Sequence, residues 1–204
     1  KQLAFMGAPI PDYFTSLSDH LPQGCHAALM LVVESAEPAV RELAAVHGGA
    51  ITYRKTQAEA KAANRTLIEY CWNHTTLRAL RVDPSITYLQ VLYPFPNQVE
   101  LIDANHARFG EEVICHLEFV RFDGKVTCFG LPLVRFTTEE RLEEIMAIHE
   151  EMGAPIFNPH RYTLEEGGMK QTDEAQLAFK KDADPQGLLN PGKMIAWEDP
   201  SYDY

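Results

Sequence analysis

The stretch EEVICHLEFVRFDGKVTCFGLPLVRF, residues 111–136, decides the fold of this sequence. Two alternating runs rich in β-branched and aromatic residues flank Asp123-Gly124, and Asp-Gly between such runs is the strongest short signal for a two-residue hairpin turn. A turn of that length fixes the register of the two strands. The predicted cross-strand pairs are Phe122–Lys125, Val120–Thr127 and Glu118–Phe129.

The two faces of this hairpin differ in composition. One is apolar and is predicted to pack on the core; it carries Val113, Cys115, Leu117, Phe119, Val126 and Cys128. The other mixes ionisable and apolar groups: His116, Glu118, Val120, Phe122, Lys125, Thr127, Phe129 and Leu131. A mixed face is typical of a surface that covers a ligand or another domain, although an ordinary solvent face with some aromatics fits about equally well. We expect His116, Glu118 and Phe129 to point into a shared cavity or interface and to bind substrate.

Helix and strand signals alternate along the rest of the chain. Strands are predicted at 26–34, 50–54 and 86–94 from apolar or alternating runs. Helices are predicted after Pro38 as far as Gly48, from Thr56 to about Leu80, from Asn97 to Gly110, from Thr137 to Gly153, and over 172–182. Three of them begin with predicted caps, which are Thr56 with Glu59 as a capping box, Asn97 with Glu100, and Thr137 with Glu140. In the helix after Thr137 one face carries Leu142, Ile145, Met146 and His149. Strands joined mostly by helices, with one hairpin, predict an α+β fold in which a mainly antiparallel sheet carries helices on one face, as in ferredoxin-like units.

Composition excludes several functional classes. The net charge of -11 argues against nucleic acid and against an anionic membrane surface, since both require clustered Lys and Arg. The sequence has no membrane-spanning apolar run and no signal peptide. Its 4 Cys form no CxxC pair, and no HExxH motif is present, so we expect buried thiols, no metal site and a cytoplasmic location.

The segment GAPIFNPHRYTLEEGGMK, residues 153–170, concentrates chemically versatile side chains between Pro and Gly residues. His160 and Tyr162 can exchange or hold a proton, Arg161 can bind an anionic oxygen, and Asn158 can orient a ligand. Each also has a structural reading, as a turn residue or a solvated charge. His74, in CWNHTTLRAL, belongs to a polar cluster that can face a site or simply interrupt a helix.

The C-terminal stretch DPQGLLNPGKMI, residues 184–195, follows the Lys-rich helix end AFKKDA. Together they resemble the C-terminus of FAD-linked oxidases and dehydrogenases of the vanillyl-alcohol oxidase type, as does the following IAWED. That family closes with a Lys-bearing helix, Asp-Pro-x-Gly, two apolar residues and Pro-Gly-Lys. The matching residues are Lys181, Asp184, Pro185, Gly187, Leu188, Leu189, Asn190, Pro191, Gly192 and Lys193.

The resemblance implies a function and a division of the chain. Residues 26–157 would form the α+β cap that faces the substrate, after a linker over 1–25, and 158–204 would return toward the FAD-binding half. Nothing in the sequence resembles that half, which has a glycine-rich phosphate-binding loop. The chain would then be inactive alone and would need an FAD-binding domain or subunit as partner; a homo-oligomer is also compatible with the sequence.

The resemblance also assigns roles to residues. His160, Tyr162 and Arg161 would be catalytic, and Asn190 and Lys193 would contact FAD. His160 and Tyr162 would then lie near the same cavity as His116. The substrate would be an alcohol or a hydroxylated, even phenolic, small molecule oxidised by hydride transfer to the flavin. The alternative is a stand-alone, non-catalytic α+β binding module, which the acidic charge and the lack of a cofactor loop fit equally well.

Overall fold

The structure of the chain is a computed structural model that describes residues 19–20, 25–63, 79–80, 83–122, 124–167 and 174–202. It divides the chain into two compact units, Lys1–Thr87 and Tyr88–Tyr204. The described residues form helices together with antiparallel sheets, so the α+β class is confirmed. The ferredoxin-like arrangement and the domain boundaries at 25 and 157 remain predictions.

The first unit contains two described helices, α1 (Glu37–Val46) and α2 (Gln57–Ala62). Pro38 lies in the first turn of α1, where its missing N–H costs nothing, and Gly48 follows the helix with φ +69°. The predicted capping box of α2 is confirmed: Glu59 N donates to Thr56 Oγ1 over 3.2 Å, and Thr56 N donates to Glu59 Oε2 over 2.7 Å. The predicted extension of this helix to Leu80 crosses residues 64–78, which lie outside the described part of the chain.

The strands predicted at 26–34 and 50–54 are wrong. Residues 25–33 and 49–56 are irregular, Glu34–Ala36 is a 3₁₀ turn, and Leu31 and Val33 are exposed. An apolar run becomes a strand only where a neighbouring strand meets its N–H and C=O groups. Within residues 25–63 no other strand is available to do so.

The second unit holds the described strands and the longer helices. Its elements, with β1 beginning two residues before the unit boundary, are β1 (Ile86–Tyr88), β2 (Gln90–Tyr93), α3 (Gln98–Phe109), β3 (Val113–Ile114), β4 (Leu117–Phe122), β5 (Lys125–Gly130), β6 (Leu133–Arg135), α4 (Glu139–Glu151), β7 (Ile156–Phe157), α5 (Glu174–Ala183) and α6 (Ile195–Glu198). One sheet has the strand order β1-β6-β3 and the other β4-β5-β2-β7. The predicted run 86–94 is therefore two strands, and each arm of the hairpin also splits in two.

The predicted hairpin register is confirmed at all three pairs, including Glu118 opposite Phe129. The core lies on the apolar face of the four-stranded sheet, where strand residues pack with helix residues: Val91, Tyr93, Cys128, Ile156, Leu142, Ile145 and Met146. Leu117 also packs against this core. The prediction that the whole apolar face is buried is wrong, because Phe119 and Val126, nearer the turn, are 67% and 59% exposed.

The N-terminal caps of α4 and α3 differ from the two predicted caps. Thr138, not Thr137, caps α4, and its hydroxyl oxygen accepts the N–H of Arg141. Asn97 does precede α3, but its side chain makes no capping hydrogen bond. The α4 stripe that ends in His149 is buried as predicted.

Among the described helices, none combines the length and the apolar character required to cross a bilayer.

Candidate functional site

His116 and Glu118 form a buried imidazole–carboxyl pair on the mixed face of the hairpin. His116 directly precedes β4, and Glu118 is the second residue of that strand. Nε2 of His116 lies 3.9 Å from Oε1 of Glu118, and the two side chains are only 8% and 12% exposed. Phe129 is half-buried directly across the strand from Glu118. The structure therefore brings together three of the predicted substrate-binding residues.

Burial changes the pKa values of His116 and Glu118 so that both side chains favour their neutral forms. Desolvation lowers the pKa of His116 and raises the pKa of Glu118. In addition, His116 Nδ1 and Glu118 Oε1 are buried and have no hydrogen-bond partner among the described residues. A buried polar atom without a partner costs about 1–3 kcal/mol, so such an atom requires an explanation in a folded protein. Perturbed titrations in one buried pair make it a candidate site for proton transfer.

Asn158 and His160 form a second cluster, just after strand β7. Asn158 is buried, and its Oδ1 accepts the backbone N–H of His160 over 3.0 Å. The imidazole of His160 lies edge-on against the ring of Tyr88, with 4.8 Å between the ring centroids. Its Nε2 is 3.1 Å from the carbonyl oxygen of Tyr88, which can only accept, so Nε2 carries the proton. His160 itself is exposed.

Tyr162 and Lys193 form a third cluster. The ammonium nitrogen of Lys193 lies 3.5 Å from the centre of the Tyr162 ring, a cation–π contact. Leu164 N donates to the carbonyl oxygen of Lys193 over 2.9 Å, which joins the loop after His160 to the C-terminal segment. Arg161 instead forms an ion pair with Glu143 of α4. Its guanidinium is therefore already engaged by a carboxylate.

The C-terminal turn is organised around Asp184. The Asp184 carboxylate accepts the N–H groups of Leu188 and Leu189 over 2.8 and 3.0 Å. It also receives the ammonium of Lys180 over 2.8 Å, and this contact, together with the two N–H groups, lowers the pKa of Asp184. Lys180 also donates to the carbonyl oxygen of Leu189. One carboxylate and one ammonium thus hold the turn closed.

The small residues of the turn occupy positions that few others tolerate. Gly187 has φ +64°, and a Cβ there would lie 2.8 Å from Nε1 of Trp197. Gly192 has φ +72°, and a Cβ there would lie 3.0 Å from the Tyr162 hydroxyl. Asn190 has φ +50°, a region that Asn enters more readily than most residues. Asn190, one of the two residues expected to contact FAD, is exposed on this turn.

The candidate residues thus fall into separate clusters. The contacts unite His116 with Glu118 and Phe129, Asn158 with His160, and Tyr162 with Lys193 and, through backbone, Asn190. That His160 and Tyr162 share a cavity with His116 remains a prediction. His74 lies outside the described residues.

Sequence reasoning missed a buried polar network beneath the four-stranded sheet. Asn105 Nδ2 donates to the Tyr93 hydroxyl over 3.3 Å and to the Nε2 of His149, and Cys115 Sγ donates to Asn105 Oδ1 over 3.8 Å. Burial raises the pKa of the Cys115 thiol and that of Cys128, the latter to about 11. Both thiols therefore stay protonated at neutral pH. Of the other two cysteines, Cys25 is exposed, against expectation, and Cys71 lies outside the described residues.

A small cleft opens on the apolar side of the hairpin. It has a volume of about 80 Å³ and is lined by Tyr93, Phe95, Gln98, Phe119, Val126, Thr127 and Cys128. Phe119, which is exposed, forms part of its wall. Nothing in the sequence pattern signals the cleft, because the alternation that identifies a face does not identify what lies over it.

Comparison with known proteins returned no matching family model, and no curated protein is significantly similar to the chain. The likeness to FAD-linked oxidases therefore rests on the C-terminal motif.

Proposed function

We propose that this chain is the substrate-facing portion of a flavin-dependent oxidoreductase that oxidises an alcohol or a hydroxylated small molecule. The construction of the C-terminal turn is the observation that carries the proposal. Asp184, Gly187 and Gly192 each perform a task that other residue types perform poorly there. The residues shared with the oxidase motif are thus those that determine its conformation, which supports more than a chance likeness of composition.

The proposed reaction requires a side chain that accepts the proton of the substrate hydroxyl. FAD, when bound, accepts a hydride from the carbon that bears the substrate hydroxyl. The hydroxyl proton must then leave, and a neutral buried imidazole such as His116 can receive it. Glu118 beside it can stabilise the charged imidazole that results, since the two groups are 3.9 Å apart. His160 and Tyr162 form the second pair of candidates for the same task.

FAD itself would meet this chain at Asn190 and Lys193. The amide of Asn190 and the ammonium of Lys193 are hydrogen-bond donors that suit the oxygen acceptors of a flavin or of a pyrophosphate. Lys193 is half-buried over the Tyr162 ring, which holds its charge at a defined position. Two such donors are too few for a dinucleotide site. The main cofactor contacts therefore belong, under this proposal, to a separate FAD-binding domain or subunit.

The test uses the longest natural polypeptide that contains this chain, purified with its natural partners. We expect one flavin per chain by absorbance, and anaerobic bleaching of that absorbance when an oxidisable alcohol is added. The expected control is the 204-residue chain alone, which we predict to be colourless after gel filtration. A natural polypeptide that neither retains flavin nor takes it up from added FAD would contradict the proposal.

A second candidate function, a non-catalytic binding module, is favoured by exposed apolar side chains on the C-terminal segment. Phe179, Leu188 and Leu189 are 73%, 72% and 62% exposed beside a turn that is held closed. Apolar side chains gathered on an ordered surface mark an interaction site. The same purification separates the two functions, since a binding module would carry its partner and no flavin.

A further inference from the structure

Strand β4 lies at an edge of the four-stranded sheet, with β5 as its one neighbour among the described strands. Leu131 N donates to the carbonyl oxygen of His116 over 2.8 Å, which continues the ladder between these two strands. Hydrogen-bonded and non-hydrogen-bonded pairs alternate along an antiparallel ladder. The N–H and C=O groups of Leu117, Phe119 and Arg121 therefore point away from β5, toward the open edge of the sheet.

The outer part of this edge is accessible. The side chains of Phe119 and Arg121 are exposed, whereas Leu117 is half-buried. Within the described part of the chain, no backbone group bonds to the outward N–H and C=O groups of Phe119 and Arg121. An edge strand with such free groups is a template on which a further strand can pair.

The side chains of the edge determine which strand fits it. Phe119 and Arg121 are two residues apart in β4, so they project from the same face of the sheet. Phe119 forms a wall of the small cleft, and Val126, opposite Arg121, is 59% exposed. No described carboxylate pairs with the Arg121 guanidinium. An added strand with an aromatic side chain and a carboxylate at alternate positions complements this surface.

We propose that the open edge of β4 binds an extended segment of a partner protein by strand addition, with an aromatic side chain opposite Phe119 and a carboxylate opposite Arg121. In antiparallel pairing the acidic residue precedes the aromatic residue by two positions, because the two chains run in opposite directions. Main-chain hydrogen bonds supply affinity and the side chains supply specificity. The binding needs no flavin, so it is independent of the proposed function.

Charge favours an acidic segment over a second copy of this chain. The chain carries a net charge of -11, but salt screens interactions between exposed charges beyond about 8 Å at physiological ionic strength. A carboxylate opposite Arg121 therefore interacts mainly with that guanidinium. A two-fold pairing of β4 with its own copy, centred on Phe119, would instead place Arg121 opposite Leu117 and leave the guanidinium without a carboxylate.

The test uses the fluorescently labelled peptide Ser-Glu-Thr-Tyr-Thr-Val-Ser and the longest natural polypeptide that contains this chain. In extended conformation its Glu, Tyr and Val side chains share one face and meet Arg121, Phe119 and Leu117. We expect saturable binding by fluorescence anisotropy, with a Kd of about 0.1–1 mM for so short a segment. Hydrogen exchange followed by mass spectrometry should slow in the fragment that contains β4.

Two N-methylated peptides separate strand addition from simple apolar contact. N-methylation at the peptide Tyr removes the N–H that faces the carbonyl oxygen of Phe119, and should weaken binding at least about tenfold. N-methylation at the next Thr removes an N–H that faces away from β4, so that peptide should bind within about threefold of the parent.

Substitutions in the protein test the two side chains. Phe119→Ser and Arg121→Glu should each weaken binding about threefold or more, and a peptide with Lys in place of Glu should recover the loss in Arg121→Glu. Phe179→Ser removes an equally exposed apolar side chain elsewhere, and Lys125→Glu makes the same charge change on the other face of the hairpin. Both controls should bind within about twofold of the parent. Thermal melting checks that each variant is folded.

The proposal is overturned if the peptide does not saturate, if the two N-methylated peptides bind alike, or if Arg121→Glu weakens binding no more than Lys125→Glu does. The second result would mean that the peptide occupies the cleft without pairing, and the third that only long-range charge acts. A natural polypeptide that forms a dimer by gel filtration, which Phe119→Ser dissociates, would also overturn it, because a second copy would then occupy the edge.

Discussion

The Nδ1 atom of His149 lies 2.7 Å from the carbonyl oxygen of Ile145, one turn earlier on α4. A carbonyl only accepts, so Nδ1 carries the proton, and Nε2 is left to accept the Nδ2–H of Asn105. The ring also stacks on Phe109, with 5.1 Å between the centroids. Every polar atom of a fully buried imidazole is thereby satisfied in its neutral form.

We predict that this arrangement makes the chain sensitive to acid. Burial lowers the pKa of folded His149, although its hydrogen bond to Ile145 partly opposes the shift, while the unfolded chain titrates near 6.5. The unfolded state therefore binds more protons below that pH. The stabilisation is fully present above about pH 6.5 and is lost as the pH falls toward the folded pKa.

Urea unfolding at several pH values checks this prediction. His149→Gln should lower the free energy of unfolding at pH 7 by about 1–3 kcal/mol, because it disrupts a buried hydrogen-bond network. It should also flatten the decline between pH 7 and pH 5, with the remainder due in part to His116, whose pKa burial also lowers. His106→Gln is the control, and an equally flat profile in that variant would contradict the assignment.

A second prediction concerns two glycines with positive φ. Gly187→Ala should lower the free energy of unfolding by more than about 1–2 kcal/mol, since it adds a Cβ 2.8 Å from Trp197 to the strain of the left-handed conformation. Gly153→Ala is the matched control because Gly153 has φ +87° and open space around it. Equal losses in the two variants would show that Trp197 moves aside freely.

The hairpin shows which structural features a sequence pattern can predict and which it cannot. The Asp-Gly turn and the alternation determine the register, so Glu118 was placed opposite Phe129 correctly. The same pattern did not indicate that Phe119 would be exposed and Cys128 buried, although both point to one side of the sheet. Alternation identifies which residues share a face, while burial depends on distant elements such as α3 and α4, which cover only one end.

Other differences have equally local causes. Thr137 and Thr138 both carry the capping hydroxyl, and only the backbone decides which one faces the free N–H groups. The apolar run 26–34 has strand-forming residues but no partner among residues 25–63. For the site, the pattern placed His116 and Glu118 on one face, whereas their proximity and their burial required coordinates.

The tip of the hairpin yields a third prediction. Phe119→Ser should change the free energy of unfolding by less than about 0.5 kcal/mol, because a side chain that is 67% exposed loses little on removal. Ile145→Ala, in the same unit but 1% exposed, should cost about 2–5 kcal/mol. Denaturant midpoints measured under identical conditions check both values. A large loss for Phe119→Ser would mean that this face is covered in solution.

The contact between Lys193 and Tyr162 gives a fourth prediction. Lys193→Gln should lower the free energy of unfolding by about 0.5–1 kcal/mol, the usual contribution of a cation–π contact at an exposed site. Lys193→Arg retains a cation that stacks on aromatic rings and should lose less. If the natural flavoprotein also uses this ammonium for FAD, Lys193→Gln lowers its flavin content as well. If the Gln and Arg variants are equally stable, the cation–π contact makes no contribution to the free energy of unfolding.

The last prediction separates a catalytic from a structural role for His160. In the natural flavin-containing polypeptide, His160→Ala should lower turnover by about a hundredfold or more, as loss of a positioned acid–base group does, and leave flavin content unchanged. Tyr88→Leu is the matched control, because it removes the edge-on ring that holds the imidazole but keeps the imidazole and the backbone carbonyl that Nε2 contacts.

The ring contact is worth about 0.5–1.5 kcal/mol, so both variants should melt at lower temperature. Only His160→Ala should lose the large factor in turnover, because only that variant lacks the proton-carrying group. Rates and melting temperatures measured on the same preparations decide the matter. If Tyr88→Leu loses as much turnover as His160→Ala, or if His160→Ala remains fully active, His160 is a packing residue and the proton is handled elsewhere, with His116 as the next candidate.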